Sequence, residues 1–426
     1  MTGNRLVLLA WLLLGAGDGL TVGTYNGEAL TLICAGFVAL SLPVLLPERL
    51  PLRPPSAIEL NLAVLVAAAL FIPLNLVTQP PLGFAQARAL LFLGAFVGGC
   101  LLASHRTRAL AGVVGIVAGA VAGALVIPAE RRPPIDVWYL VTGSADSIVH
   151  GTNMFTDTWP VSPGITDTFP YLPGTGLLLA PWRVVGLDVR YGLLLAAIVA
   201  ALVIWRLAPA PVGPALALLA VLVPGWLLLV DLSWTEPLLL AALSGMFLAV
   251  DRGRLGCAII ALAVALATKQ HVLLLLPVLA VWPAFGLRRV AIATAAAGTV
   301  CLPWLVATPS AFLHDALFYN LEITPRRDSL SLYSLALHHG WQPSFFLVGA
   351  LSLLALAIAC RRVQTPAAVA LSCTWALATF TLLNKQSFYN EWWLVVTMTL
   401  LALALARPVD RDQQEGAREV SSAGVA

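Results

Sequence analysis

Hydrophobic residues run through this chain in long blocks rather than in an amphipathic rhythm. Apolar stretches of about 17–25 residues, enough to cross a hydrocarbon core about 30 Å thick, recur along its length. They predict helices near residues 5–23, 29–46, 57–77, 87–104 and 109–128. Nine more are expected near 188–206, 210–230, 232–250, 255–268, 270–284, 290–307, 342–360, 364–383 and 388–407. Short stretches such as 255–268 also suit re-entrant helices, so about 13–14 spans are expected. The pattern breaks once at length, from Pro128 to Pro173, where Asp136, Asp146, Asp157, Asp167 and His150 stand among Ser, Thr, Asn and Pro. A stretch this polar between apolar runs must lie in water or line a polar cavity, and it reads as an outer loop.

Composition agrees with the pattern. Of 426 residues 60% are hydrophobic and only 11% charged, against about a quarter in soluble domains, and the mean hydropathy is +0.90. The expected fold class is an all-α polytopic membrane protein without a soluble domain. Net charge is +3, carried mostly by arginine, with Lys269 and Lys385 the only lysines. No basic patch points to nucleic acid. The six cysteines sit in or beside apolar runs without a CxxC pair, where cysteine behaves as a small hydrophobe. The N-terminal run resembles a signal peptide but lacks a small-x-small cleavage site, and a second span follows at once, so it reads as a retained first helix.

The arginine pairs in short loops set an orientation. Arg49 and Arg53, Arg106 and Arg108, Arg252 and Arg254, Arg288 and Arg289, and Arg361 and Arg362 all fall inside if the N-terminus is cytoplasmic. That assignment puts 129–187, 308–341 and the Asn384–Asn390 turn together on the outer face, and the polar tail 408–426, expected to be disordered, inside. Arg131–Arg132 and Arg326–Arg327 break the rule, as groups that bind something anionic or as headgroup anchors. Leu172–Gly186, short and interrupted by Pro173 and Pro181, suits an interfacial helix with Trp182 and Arg183 at headgroup level. The first spans look like an added block, 1–104, whose notable polar residues are Asp18 and Asn75. There is no internal repeat, nor a pair of broken helices of the transporter kind.

Several ionisable groups are candidates for chemistry. Asp136 follows the fifth span closely, where partial burial suits a general base toward a hydroxyl; a solvated loop aspartate fits the same position. Lys269, at membrane depth beside His271, is a natural partner for phosphate, or a lysine that snorkels to the interface. Arg326 and Arg327 offer guanidinium forks for phosphate, unless Arg326 only pairs with Asp328. The turn carrying Lys385, Gln386, Tyr389, Glu391, Trp392 and Trp393 mixes groups suited to sugar faces, or forms an aromatic belt. Glu236 before Pro237 gains from the helix dipole. Asp146, Asp157 and Asp167 are open to a divalent cation or to acceptor hydroxyls; without a tight D-x-D no metal is expected.

The order of these pieces carries a resemblance. Asp136-x-x-Tyr139, Gly151-x-Asn153-Met154-Phe155 and Phe169-Pro170-Tyr171-Leu172-Pro173 are followed by Thr235-Glu236-Pro237 and Ala267-Thr268-Lys269-Gln270. Together they resemble the first outer loop and later hairpins of the GT-C superfamily of polyprenyl-phosphate-sugar-dependent glycosyltransferases, nearest the mannosyltransferase-like family 87. Met154-Phe155 stands where that family has Pro-Tyr, and Pro170-Tyr171-Leu172-Pro173 where it has Pro-Pro-Leu. The resemblance covers roughly 110–400 and implies a catalytic module over 105–407. It implies Asp136 as catalytic base in a single inverting displacement, with Lys269, Arg326, Arg327 and Lys385 on the donor phosphate. Tyr139, His150, Asn153, Tyr171, Glu236, Gln270 and Gln386 would contact substrate. The implied partners are a polyprenyl-phosphate sugar (mannose or a pentose), a cell-envelope glycolipid or polysaccharide acceptor, and the bilayer of a bacterial plasma membrane, with no cofactor. A transporter or flippase of a lipid-linked saccharide would use the same basic cavity without a base, and a membrane scaffold would need no Lys269 at depth.

Overall fold

A computed structural model of the chain describes residues 2–77, 85–361 and 363–408, leaving aside the side chains of 72–77. The 408–426 tail beyond Pro408 and the Asn75 side chain therefore lie outside the described residues. Among those described the fold is helical throughout, with no strand and one isolated antiparallel bridge, Thr24 to Ser329.

The first five helices are α1 (Gly3–Thr21), α2 (Gly27–Leu45), α3 (Ala57–Val77), α4 (Ala85–Leu102) and α5 (Arg108–Ala129). Then come α6 (Asp136–His150), α7 (Gly174–Val184), α8 (Arg190–Leu207), α9 (Gly213–Leu222), α10 (Trp226–Asp231), α11 (Glu236–Asp251) and α12 (Leu255–Thr268). The chain continues through α13 (Leu276–Val281), α14 (Gly286–Ala307), α15 (Pro309–Leu313), α16 (Tyr319–Glu322) and α17 (Leu332–His338). It ends with α18 (Phe345–Ala359), α19 (Pro366–Leu383) and α20 (Tyr389–Ala404). Six of these, α2, α4, α5, α8, α14 and α19, are long and apolar enough to cross a membrane, and shorter apolar helices lie among them. The architecture is thus an all-helical bundle of membrane character.

Three sequence expectations change. Residues 136–150, read as loop, form α6, an amphipathic helix that buries Leu140, Val141, Ser144 and Ala145. The expected span 210–230 is two helices. Pro224 brings no backbone N–H and Gly225 takes φ +83°, a left-handed turn glycine enters without strain, so α9 stops and α10 restarts at Trp226. The expected span 270–284 is a 3-10 turn, Gln270–Leu275, followed by six-residue α13, after Lys269 itself goes extended at φ −151° and ψ 136°. Helices interrupted in this way expose backbone polar groups inside a bundle, which favours polar surroundings at both breaks.

The main core joins α1–α5 with α8–α14 and α18–α20. α1 packs on α20 and α2 on α19, where Trp375 Nε1 donates to Ser41 Oγ at 2.8 Å, so these helices of the 1–104 block are built into the bundle. A second, smaller core lies under the polar stretch. Phe155 meets Phe169 at 5.6 Å and Phe312 at 4.9 Å between ring centroids, in edge-on contacts, and α6 lays Leu140, Val141 and Ala145 onto them. Edge-to-face rings at this spacing are favourable beyond their buried area, and they clamp the 152–173 segment to the 308–318 segment.

Candidate functional site

The polar segments that sequence order keeps far apart meet at one end of the bundle. Phe169 N donates to Asp315 Oδ2 at 2.9 Å. Gln270 Nε2 donates to the carbonyls of Pro170 (3.1 Å) and Ala316 (2.5 Å). Arg326 N donates to the Lys385 carbonyl at 3.1 Å and Leu330 N to that of Ser387 at 2.8 Å. The 129–187, 308–341 and 384–390 segments therefore share one face with the Lys269 turn, as the loop charges predict for their grouping.

At the centre Lys269 Nζ lies 2.5 Å from Glu236 Oε1. Asn390 Nδ2 donates to the same oxygen at 2.8 Å. Glu236 is fully buried and the Lys269 side chain 14% exposed, so each charge is held by the other. The ammonium also stands 5.5 Å over the Tyr171 ring, a distance at which the ring's negative face attracts a cation. Glu391, one residue beyond Asn390, accepts the N–H of Phe388 at 2.8 Å and caps α20. The sequence suggests a helix-end group or a substrate contact at Glu236; in the structure its partner is Lys269, 33 positions on. Three oxygens here have no hydrogen-bond partner although buried: Glu236 Oε2, Thr235 Oγ1 and Ser233 Oγ. Ser233 also adopts φ +60°, which a non-glycine residue enters at a cost of about 1–2 kcal/mol. Strain and unmet polar groups at one turn are usual where a ligand or water completes the structure.

Asp136 begins α6 and is half-buried. Its Oδ2 accepts the Ile165 N–H at 3.2 Å, and Gly164 lies so close that an added Cβ would meet the carboxylate at 2.5 Å. The other oxygen carries no hydrogen bond. Its charge is felt across the cluster. Burial holds the Tyr171 phenol well above its usual value, and Glu236, Asp136 and Glu391 add to the rise. Burial raises the Tyr319 phenol too, with Asp136, Asp167 and Asp315 contributing. The Asp328 hydrogen bond raises the Arg326 guanidinium, with a further contribution from Asp136. Tyr171, Tyr319 and Arg326 thus each sit within electrostatic reach of Asp136, and Tyr171 extends that reach to Glu236 and Glu391.

The basic groups differ in how free they are. Arg326 pairs bidentately with Asp328, Nε to Oδ1 at 2.9 Å, and lies 4.6 Å over the Phe388 ring. Arg327 is exposed, and only its carbonyl is engaged, by Ser334 and His338. Lys385 Nζ donates to the Leu321 carbonyl at 2.6 Å and has no carboxylate; burial lowers its ammonium below the usual value. Gln386 Nε2 donates to the Thr324 carbonyl at 3.3 Å. Lys385 and Arg327 are therefore the cations with charge to offer.

Other candidates are engaged locally. Tyr139 is one turn along α6 from Asp136 and packs edge-on against Trp138 at 4.9 Å. His150 ends the same 15-residue helix, about 21 Å along its axis at 1.5 Å per residue, with Nδ1 on the Asp146 carbonyl at 2.8 Å. It is too far from Asp136 to share one sugar. Asn153 bonds Thr308 Oγ1 at 2.8 Å and its own Phe155 N–H at 3.1 Å, so it shapes a turn. Asp146 pairs with Arg183 at 2.7 Å, and Asp157 accepts from Ser147 and Thr152. Among the described residues no group of three or more His, Cys, Asp or Glu side chains is set to hold a metal.

Two ionic groups, Arg190 with Asp188 and Asp231 and the His314–Asp315 pair, lie outside the sequence expectations. Arg190, 1% exposed, pairs with Asp188 at 2.9 Å and approaches Asp231 at 3.7 Å, while its Nη2 donates to the Ile127 carbonyl at 3.0 Å. It fixes the ends of α5 and α8 beneath α6. His314 Nδ1 meets Asp315 Oδ1 at 2.8 Å in a π-helical turn, His314–Phe318, a distortion frequent at functional sites. The local signal was present, since a charged residue beside an aromatic-rich turn in an apolar chain is unusual. No family model, curated protein or solved structure matches the chain.

Proposed function

We propose that this bundle is a GT-C-type glycosyltransferase that moves a sugar from a polyprenyl-phosphate donor to a glycolipid or polysaccharide acceptor. Its short helices would complete about 13–14 spans, with the clustered end on the outer face of a bacterial plasma membrane. The observation that carries the reading is the convergence of Asp136, Tyr171, Lys269–Glu236 and the Arg326–Lys385 segment on one end of an otherwise apolar chain. A carboxylate with one unbonded oxygen suits a general base. Lys385 and Arg327, cations without a carboxylate on the 326–385 junction, suit the phosphate that leaves.

The electrostatics refine the roles. Lys269 is neutralised by Glu236, so its ammonium has no free charge for a phosphate. A phosphate is favoured instead at Lys385 and Arg327, and at Arg326 where it displaces the exposed Asp328. Lys269, Asn390 and Tyr171, held in place by the buried Glu236, then form a polar floor for sugar hydroxyls. The acceptor hydroxyl loses its proton to Asp136 as its oxygen bonds the anomeric carbon, and the bond to the phosphate oxygen breaks, leaving polyprenyl phosphate. The leaving group is already a phosphate, so no nucleotide takes part.

A second reading has an observation of its own. The interrupted helices at 223–225 and 269–275 and a buried ion pair resemble the midplane sites of carriers, which favours passage of a lipid-linked saccharide without transfer. The test is transfer from a labelled polyprenyl-phosphate sugar by purified protein. Asp136→Asn should lower kcat by about 10²–10⁴ with donor binding retained, and Lys385→Met should raise the donor KM about tenfold. Absence of donor turnover, or an Asp136→Asn variant as active as the parent, would sink the enzyme reading.

A further inference from the structure

At the other end of the molecule Arg108 opens α5 in a position unlike that of a loop arginine. It is 7% exposed. Its Nε donates to the Leu102 carbonyl at 3.1 Å, and its Nη1 is buried with no hydrogen-bond partner. A guanidinium stays charged at any working pH, and a buried charge without a counter-charge is strongly unfavourable. Arg108 lines a cavity of about 550 Å³ between the α4–α5 and α8–α9 turns, together with His105, Trp205, Arg206, Pro211 and Pro214. No carboxylate lines it. Arg206 reaches it from the exposed end of α8. Since α5 has 22 residues, the cavity lies about 33 Å from the Asp136 end at 1.5 Å per residue.

We propose that this cavity is an anion site that takes a phosphate group, with Arg108 as its buried donor and Arg206 as its outer one. Arg108 and Arg206 both line the cavity without a carboxylate beside them, and two guanidinia match phosphate oxygens in number and planar geometry. Trp205 and two prolines give the cavity apolar walls that suit the glycerol stem of a lipid as well as a small anion. The site is independent of the glycosyltransferase reading, since it lies on the opposite face and uses none of its residues.

The test uses the full chain in phosphatidylcholine nanodiscs, with and without a fraction of phosphatidylglycerol, and with inorganic phosphate titrated against chloride of equal ionic strength. Thermal unfolding midpoints and hydrogen exchange across 101–111 and 203–214 are read together. Phosphatidylglycerol or phosphate should raise the midpoint and protect both segments. An effect of phosphate in phosphatidylcholine discs assigns a free anion, and an effect of phosphatidylglycerol alone assigns a lipid headgroup; either supports the site. Arg206→Gln, at an exposed position, should weaken the apparent affinity about tenfold, the cost of one charge-assisted bond, and Arg108→Gln should abolish the response. If neither ligand acts, or Arg206→Gln responds like the parent, the site does not exist; that variant decides the matter even if Arg108→Gln fails to fold.

Discussion

Replacing Lys269 by Met isolates what the buried pair contributes. Glu236 is fully buried; one oxygen accepts from Lys269 and Asn390, and the other has no partner. Without the ammonium, only the Asn390 amide faces a carboxylate sealed from water. Stranding one partner of a buried pair costs about 3–5 kcal/mol, and that is the expected loss for Lys269→Met. Glu236→Gln is expected to be gentler, about 1–2 kcal/mol, because it removes one charged hydrogen-bond acceptor and leaves Lys269, 14% exposed, able to turn toward solvent. The double variant strands no charge, so it should recover most of the Lys269→Met loss, with a coupling of about 2 kcal/mol or more. Reversible unfolding by SDS titration from mixed micelles measures all three. A loss under about 1 kcal/mol for Lys269→Met, the value of a solvated surface pair, would refute the enclosed pair and the polar floor built on it.

Other outcomes can be checked alongside. Arg326→Ala should cost under about 1 kcal/mol of stability, since Arg326 and Asp328 are each about half exposed, while still raising the donor KM in the transfer assay. Gly225→Ala should cost about 2–4 kcal/mol in the same unfolding titration, because a left-handed residue gains a Cβ that would sit 1.9 Å from Tyr389 Cε1 in a packed site. His314 is raised above its usual 6.5 by the Asp315 hydrogen bond, with Asp315, Glu322 and Asp167 charges adding. The folded chain therefore holds that proton more tightly than the unfolded one. The stabilisation is full below pH 6.5 and is lost as pH rises through the folded value. His314→Gln should flatten that slope, read as hydrogen exchange of the 308–322 segment across the window. Asp315 is itself raised, burial outweighing its bonds to Phe169 and His314, so the variant rather than the slope alone assigns the effect.

The apolar blocks were enough to predict a helical membrane bundle, because a run of twenty such residues has no other stable fate in lipid. Loop arginines grouped the polar segments correctly, a grouping the bonds of Gln270, Phe169 and Arg326 now show. The α6 helix was hidden by its polarity, although Val137, Leu140, Val141, Ala145 and Ile148 repeat at the helical interval. The partner of Lys269 was not legible at all: Glu236 is 33 residues away, and only the packing of α11 beside α12 brings them together. Short-range cues also failed at His150 and Asn153, whose bonds stay within the local chain or tie it to Thr308. Breaks at Pro224–Gly225 and Lys269 were visible as residues, but hydropathy averaged over a window removed them.

The contact between α1 and α20 sets an order of events during synthesis. Asp18, 1% exposed, lies within electrostatic reach of Tyr389 and Glu391, and Gly23 packs on the Tyr389 backbone. At about 5–20 residues per second, those partners leave the ribosome on the order of tens of seconds after α1. Through that interval the acidic side chain of the first helix has the neighbours that α2 supplies but not those of α20. The newborn chain must keep α1 at the lateral gate, at the membrane surface or beside a chaperone until its last helix arrives. Release of an N-terminal fragment from the insertion machinery should therefore be slow, and should speed up when Asp18 is replaced by Leu.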